Sequence, residues 1–194
     1  MTQNKTIIES PQDVVLRMIG KSRISANYFI PRGVAKSPMM LVGYRPNDAK
    51  VEPFDGESHR VLRDFCEEWG VDLGRIVYTT YLVKTHKLNS YQMVTWRAIL
   101  DAEVEAVQPR AVVLMGALLA KNYFLAFQNS LDFYRGIRWN FPKFPNTTFF
   151  VVPSPEEVLT GPSSLKGVFT TDLEAISFSR HERFPTEQTV SWRK

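Results

Sequence analysis

Short, wholly apolar runs alternate along this chain with stretches whose apolar residues recur at helical spacing. Pro38–Gly43 is apolar throughout and is halted by Gly43 and then Pro46, which predicts a buried strand. Ile76–Val83 is rich in β-branched and aromatic residues and predicts a second strand. Ala111–Met115, closed by Gly116, predicts a third, and Thr148–Val152, ended by Pro153, a fourth. Between them, Val61, Leu62, Phe65 and Trp69 place a helix over Glu57–Trp69, with Gly70 as its stop. Val94, Ala98, Ile99, Ala102 and Ala106 mark a long amphipathic helix over Tyr91–Val107, ended ahead of Pro109. Ala117–Phe127 and Lys166–Phe178 read as further helices.

Apolar strands alternating with helices predict an α/β fold: a three-layer α/β/α sandwich with a central parallel sheet of about four strands, covered on both faces. The expected organisation is an extension over residues 1–37 with one helix near Asp13–Ile19, an α/β domain over 38–179, and a loose polar tail over 180–194. Ligands of such sheets bind beyond the carboxyl ends of the strands. That rule gathers Gly43–Gly56, Val83–Ser90, Gly116 and Pro153–Leu159 around one crevice.

Composition narrows the setting. No apolar run reaches the ~18 residues of a membrane span, and the first residues lack the apolar stretch of a secretory signal. A single cysteine, Cys66, excludes an intramolecular disulfide and suits a reducing compartment, so a cytoplasmic protein is expected. The spacing of His, Cys and Asp suggests no metal site, and no cofactor is expected.

The net charge is +4, and its distribution says more than its size. Residues 1–50 hold eight Lys or Arg against three acids, whereas 51–72 hold seven acids against two Arg. From Phe133 to Pro155, Arg135, Arg138 and Lys143 stand without an acid among Phe133, Tyr134, Trp139, Phe141 and Phe144. Cations for phosphates beside flat rings for bases is the pattern of a surface that tracks a nucleic-acid strand. A core-packing loop with a solvated rim has the same composition, and both readings stand at this point.

The crevice segments resemble the small, bacterial-type branch of the uracil-DNA glycosylase superfamily. Gly43-Tyr44-Arg45-Pro46-Asn47 and Pro53-Phe54-Asp55-Gly56 sit where that family carries a Gly-Glu-Ala-Pro-Gly-type loop and then Pro-Phe-x-Gly. Tyr78-Thr79-Thr80-Tyr81-Leu82-Val83-Lys84 is similar to its second strand, Tyr-Ile-Thr-Asn-x-x-Lys. Pro109 through Met115-Gly116, Arg135-Gly136 and Val152-Pro153-Ser154 follow in the family's order, the last in place of His-Pro-Ser. The likeness spans about residues 38 to 165.

The resemblance implies a base pocket formed by Gly43, Tyr44, Arg45, Phe54, Tyr81 and Val152, with Phe54 as the stacking ring and Ser154 approaching a phosphate. It also implies lost chemistry. Tyr44 and Arg45 stand where the family handles the attacking water, Tyr81 where an asparagine reads the uracil edge, and Val152 where a histidine supports the departing base anion. A tyrosine lacks an amide's paired donor and acceptor, and losing one anion-stabilising donor costs about 10²–10³ in rate. The cluster cysteines of that branch are absent, Thr85 and Trp96 lying near two of their places.

Other residues offer partial replacements. Asp48, Glu52 and Asp55 could orient a water or simply cap a loop, and His86 could replace the missing histidine. With Lys84 and Lys87, His86 also reads as a phosphate-contacting loop, and Arg45, Arg135, Arg138 and Lys143 extend that basic surface. His59 and His181 read as structural. The expected protein binds DNA phosphates, and a flipped or modified base, without excising ordinary uracil, alone or within a replication, repair or modification complex. Two alternatives stay open: an enzyme that cuts or modifies a non-standard base, and a viral or mobile-element scaffold or inhibitor.

Overall fold

The computed structural model describes residues 9–22, 24, 28–46, 54, 56, 59–73, 76–85, 90–178 and 184–190. Helix α1 (Pro11–Lys21) is opened by Ser10, whose side chain accepts from the Asp13 amide while the Asp13 carboxylate reaches back to the Ser10 amide. This reciprocal cap, with proline at the first helical position, fixes where the helix starts. The chain then runs through β1 (Met39–Gly43), α2 (Arg60–Glu68), β2 (Val77–Tyr81), α3 (Met93–Val107) and β3 (Ala111–Met115). It continues through α4 (Ala117–Phe124), β4 (Ile137–Asn140), β5 (Thr148–Val152), α5 (Pro155–Thr160), α6 (Ser164–Ser177) and β6 (Thr186–Thr189).

The strands form one sheet in the order β2-β1-β3-β5-β4-β6. The four strands predicted from the sequence are its parallel part, with β1 between β2 and β3 and β5 beyond β3. Alternate residues feed two cores. Met40, Val42, Val112, Leu114, Phe149 and Val151 pack with α1, α3 and α4. Met39, Leu41, Val113, Met115, Phe150 and Val152 pack with α2, α5 and α6. Burial on both faces is why these strands lack polar alternation. Helix α3 ends where Gln108 takes a left-handed conformation (φ 54°) and its amide bonds the Val104 carbonyl, just ahead of Pro109.

The sheet is wider than expected. β4 runs antiparallel to β5, and β6 pairs with β4 as the outermost strand. Residues 184–190 are therefore not a loose tail: Phe184 is buried and meets Phe150 edge-on at 4.8 Å, and Thr186–Thr189 lie along the sheet edge. The aromatic segment after Phe133 belongs to the core. Tyr134, Trp139, Phe141 and Phe144 are buried around Tyr123, Phe124 and Phe149, and only Phe133 of the five faces solvent. Ring pairs at 4.6 Å (Phe141–Phe149) and 4.9 Å (Phe124–Trp139) make this a packed aromatic cluster, not a base-stacking surface. Among the described residues no helix is long and apolar enough to cross a membrane.

Candidate functional site

The chain leaves β1 toward β2 on one side and returns to β3 on the other, so the carboxyl ends of β1 and β3 flank the point where the strand order reverses. A cleft of about 250 Å³ opens there. Gly43 ends β1, Tyr44 and Arg45 follow it, and Tyr81 ends β2. Met115, Gly116 and Leu118 bring in the end of β3 and the start of α4, while Ser154 and Glu156 bring in the start of α5. Gly116 holds φ at 101°, a region that side chains disfavour, and an added Cβ would lie 3.1 Å from the Ser154 Cβ. Glycine thus lets α4 and α5 begin side by side.

Tyr81 occupies the place expected for a base edge. Its ring stacks on Phe54 with centroids 5.0 Å apart and planes 28° from parallel, and meets Phe29 edge-on at 5.9 Å. The Tyr81 hydroxyl accepts a hydrogen bond from the Phe54 amide at 3.1 Å. This contact holds Phe54 at φ 64°, a left-handed conformation that is uncommon for an aromatic residue. Gly43 is the complement: a Cβ there would come 2.6 Å from Tyr81 Cε1. Burial pushes the Tyr81 phenol up to about 12, so it stays neutral. Phe54 is therefore covered by the chain's own ring and is absent from the cleft wall, as is Val152, which is fully buried in the same core. The base pocket expected on Phe54 and Val152 is corrected in that respect: both are core, and the cleft lies beyond Tyr81.

Ser154 lines the cleft but acts first as a helix cap. Its hydroxyl oxygen accepts from the Glu157 amide at 3.1 Å, and its own amide donates to Glu157 Oε2 at 2.7 Å. Glu157 Oε1 accepts from the Ala117 amide at 3.2 Å. One carboxylate thus satisfies backbone donors at the starts of two helices, where negative charge is favoured. Glu157→Ala is expected to cost about 1 kcal/mol and to lower the melting temperature by about 2–4 °C. An unchanged melting curve would show that these donors do not depend on Glu157.

His59, expected to be structural, lies on the cleft wall. Its ring packs edge-on against Phe54 at 5.1 Å, and Nε2 is 3.4 Å from Glu156 Oε1. Burial lowers its pKa, against an upward pull from Glu156, so the imidazole is held toward its neutral form. A histidine ahead of a helix and a glutamate 97 positions later share no sequence signal; only the meeting of α2 with α5 joins them.

The expected phosphate-binding set is dispersed. Lys84 is corrected outright: it is fully buried, with Nζ 2.5 Å from Glu103 Oε2, 2.8 Å from the Tyr81 carbonyl and 3.0 Å from Thr80 Oγ1. Glu103 is equally buried and accepts from the hydroxyls of Tyr78 and Thr80. Burial pushes Lys84 down and Glu103 up, each opposed by its partner. Lys143 is corrected as well. It lies with Gln108 and Thr147 at the amino ends of β3 and β5, away from the cleft, and pairs with Asp101 and Glu105.

Arg135 forms a two-bond pair with Asp172 of α6 at 2.6 and 2.9 Å. Arg138 donates to the Phe184 carbonyl and pairs with Glu187, tying β4 to β6. Arg45 is exposed at the cleft. Asp48, Glu52, Asp55, His86, Lys87 and His181 lie outside the described residues. Among the described residues, no group of three or more His, Cys, Asp or Glu is placed to hold a metal ion.

The arrangement is a half-open cleft with aromatic walls, one exposed guanidinium and a histidine–carboxylate pair, at the strand ends of a parallel sheet. None of the curated proteins matches the chain. The family model described as the Uracil DNA glycosylase superfamily matches residues 30–175, three quarters of the chain. The chain therefore belongs to the uracil-DNA glycosylase superfamily.

Proposed function

We propose that this protein binds DNA through the glycosylase-type cleft and does not excise ordinary uracil. The observation that carries this reading is Tyr81. It stacks on Phe54 and accepts from the Phe54 amide, so the ring that a flipped uracil would need is already covered. Extruding a base from a duplex costs a few kcal/mol, which a stacking and hydrogen-bonding pocket must return. A slot filled by a tyrosine from its own strand returns little of it to uracil. Val152 offers no donor to a departing base anion, and loss of such a donor alone is worth about 10²–10³ in rate.

DNA binding is supported by family membership and by Arg45 at the cleft. Lys84, Arg135, Arg138 and Lys143, four of the cations expected to meet phosphates, are instead paired within the fold. Binding should accordingly depend on salt with a shallow logarithmic slope of about −1 to −3.

The test combines a binding titration at several salt concentrations with incubation on uracil-containing duplex and single-stranded DNA, followed by alkaline cleavage at abasic sites. Salt-dependent binding without strand cleavage is the expected result. Accumulation of abasic sites overturns the claim about excision, and binding that is absent or insensitive to salt overturns the claim about DNA.

A further inference from the structure

We propose that Tyr44 is the ring on which this cleft stacks a DNA base, in place of the covered Phe54, and that it grips any base by its flat face without reading its edge. This rests on the DNA-binding reading above and specifies how the site holds its ligand.

Among the described residues three rings line the cleft, those of Tyr44, His59 and Tyr81. Two of them have no face to offer. Tyr81 is 3% exposed, stacked on Phe54 and close against Gly43, where an added Cβ would lie 2.6 Å from its ring. His59 is 4% exposed and packs edge-on against Phe54. Tyr44 is only half-buried. Leu118, 51% exposed, adds an apolar side chain to the same cleft, whose volume of about 250 Å³ leaves room for a base.

Strand alternation sets where Tyr44 stands. β1 sends Met40 and Val42 into the core shared with α1, α3 and α4, and Tyr44, two residues on, packs against that core. Its carbonyl accepts from the Val83 amide at 2.9 Å, which fixes the backbone that carries the ring. Burial raises the pKa of the phenol, so the ring stays neutral and brings no negative charge toward a phosphate. Arg45, exposed at the next position, adds a cation. Phe54, Tyr81 and Val152 belong to the opposite core. A base stacked on Tyr44 is therefore displaced toward α4, away from Phe54 and Val152. Every base has a flat face, so a grip of this kind tolerates sequence.

The test is a fluorescence-anisotropy titration of the full chain with DNA duplexes carrying one unpaired central nucleotide: adenine, uracil or an abasic analogue. Adenine and uracil are expected to bind within about threefold of each other and about tenfold more tightly than the abasic duplex. Tyr44→Leu, checked for folding by its melting curve, should bind all three duplexes as the parent binds the abasic one, and Tyr44→Phe should behave as the parent. A tyrosine that only supports the fold would weaken all three alike, and that result overturns the assignment, as does a base preference that survives Tyr44→Leu. A second measurement needs no truncation. With ring-labelled tyrosine, the resonance missing from Tyr44→Phe should move upfield with the two base-bearing duplexes and not with the abasic one; a resonance indifferent to the base overturns the stack. A wider gap between adenine and uracil overturns the claim that the edge is not read. Equal affinity for all three duplexes overturns the stacking proposal and leaves the DNA-binding reading standing, whereas absence of salt-dependent binding to every duplex overturns both.

Discussion

Replacing Lys84 by methionine is expected to lower the stability of the fold by about 3–5 kcal/mol, measured by denaturant unfolding. Methionine keeps the bulk of the side chain but removes the charge. Glu103, fully buried, would then hold a carboxylate whose remaining side-chain partners among the described residues are the Tyr78 and Thr80 hydroxyls. The Tyr81 carbonyl would also lose its donor.

The pH dependence follows from the direction of the Glu103 shift. Burial raises its pKa, and Lys84 is the main influence that lowers it again. In the variant the folded-state pKa rises further above the unfolded value, so the folded state binds the proton more tightly. The deficit should therefore shrink as pH falls toward the ordinary carboxylate range and be largest at neutral pH. Changing Glu103 to methionine as well should recover part of the loss, because removing both charges is far less costly than stranding one. A Lys84→Met protein as stable as the parent would show that the pair is not buried as described.

Tyr81→Ala carries the second large effect, with consequences for the site as well as for stability. Truncating a buried aromatic side chain costs about 3–5 kcal/mol. The Phe54 amide would in addition lose the hydroxyl that accepts its hydrogen bond. The space left lies beside Phe54 and adjoins the existing cleft. The variant should therefore be stabilised by millimolar free uracil, a flat molecule that can take the vacated position, whereas the parent should not. Ligand present at one hundred times its dissociation constant contributes about 2.7 kcal/mol, which a thermal melt resolves readily. A variant that is destabilised but indifferent to added base would mean that the slot collapses when the ring is removed. A stability change below about 1 kcal/mol would contradict the packing of Tyr81 itself.

The parts of the fold legible in the sequence share one physical property: their environment is written in their own residues. β1, β3 and β5 are almost wholly apolar because both faces are covered, so a short apolar run suffices to find them, and β2 shows itself by its β-branched and aromatic residues. Helix α3 announces its end through Pro109. The short helix α5 was also within reach, since Ser154 followed three residues later by Glu157 is a capping-box pattern.

β6 had no such signal. Thr186–Thr189 are polar and exposed, and the strand exists because β4 offers it an edge. The segment from Phe133 to Phe144 had a composition equally suited to core and to a nucleic-acid surface. Proximity to Tyr123, Phe124 and Phe149 resolved it as core.

By itself the sequence determined the parallel α/β sheet, the crevice at its strand ends and the likeness to a base-binding family, because apolar periodicity and chain stops are local properties. Tertiary structure alone decided the chemistry of that crevice. It buried Lys84 against a glutamate 19 residues away, laid Tyr81 over Phe54, committed Glu157 to two helix starts and brought His59 to Glu156. A charge is available to a ligand only if no nearer partner claims it, and such partners are assigned by the packing of distant elements.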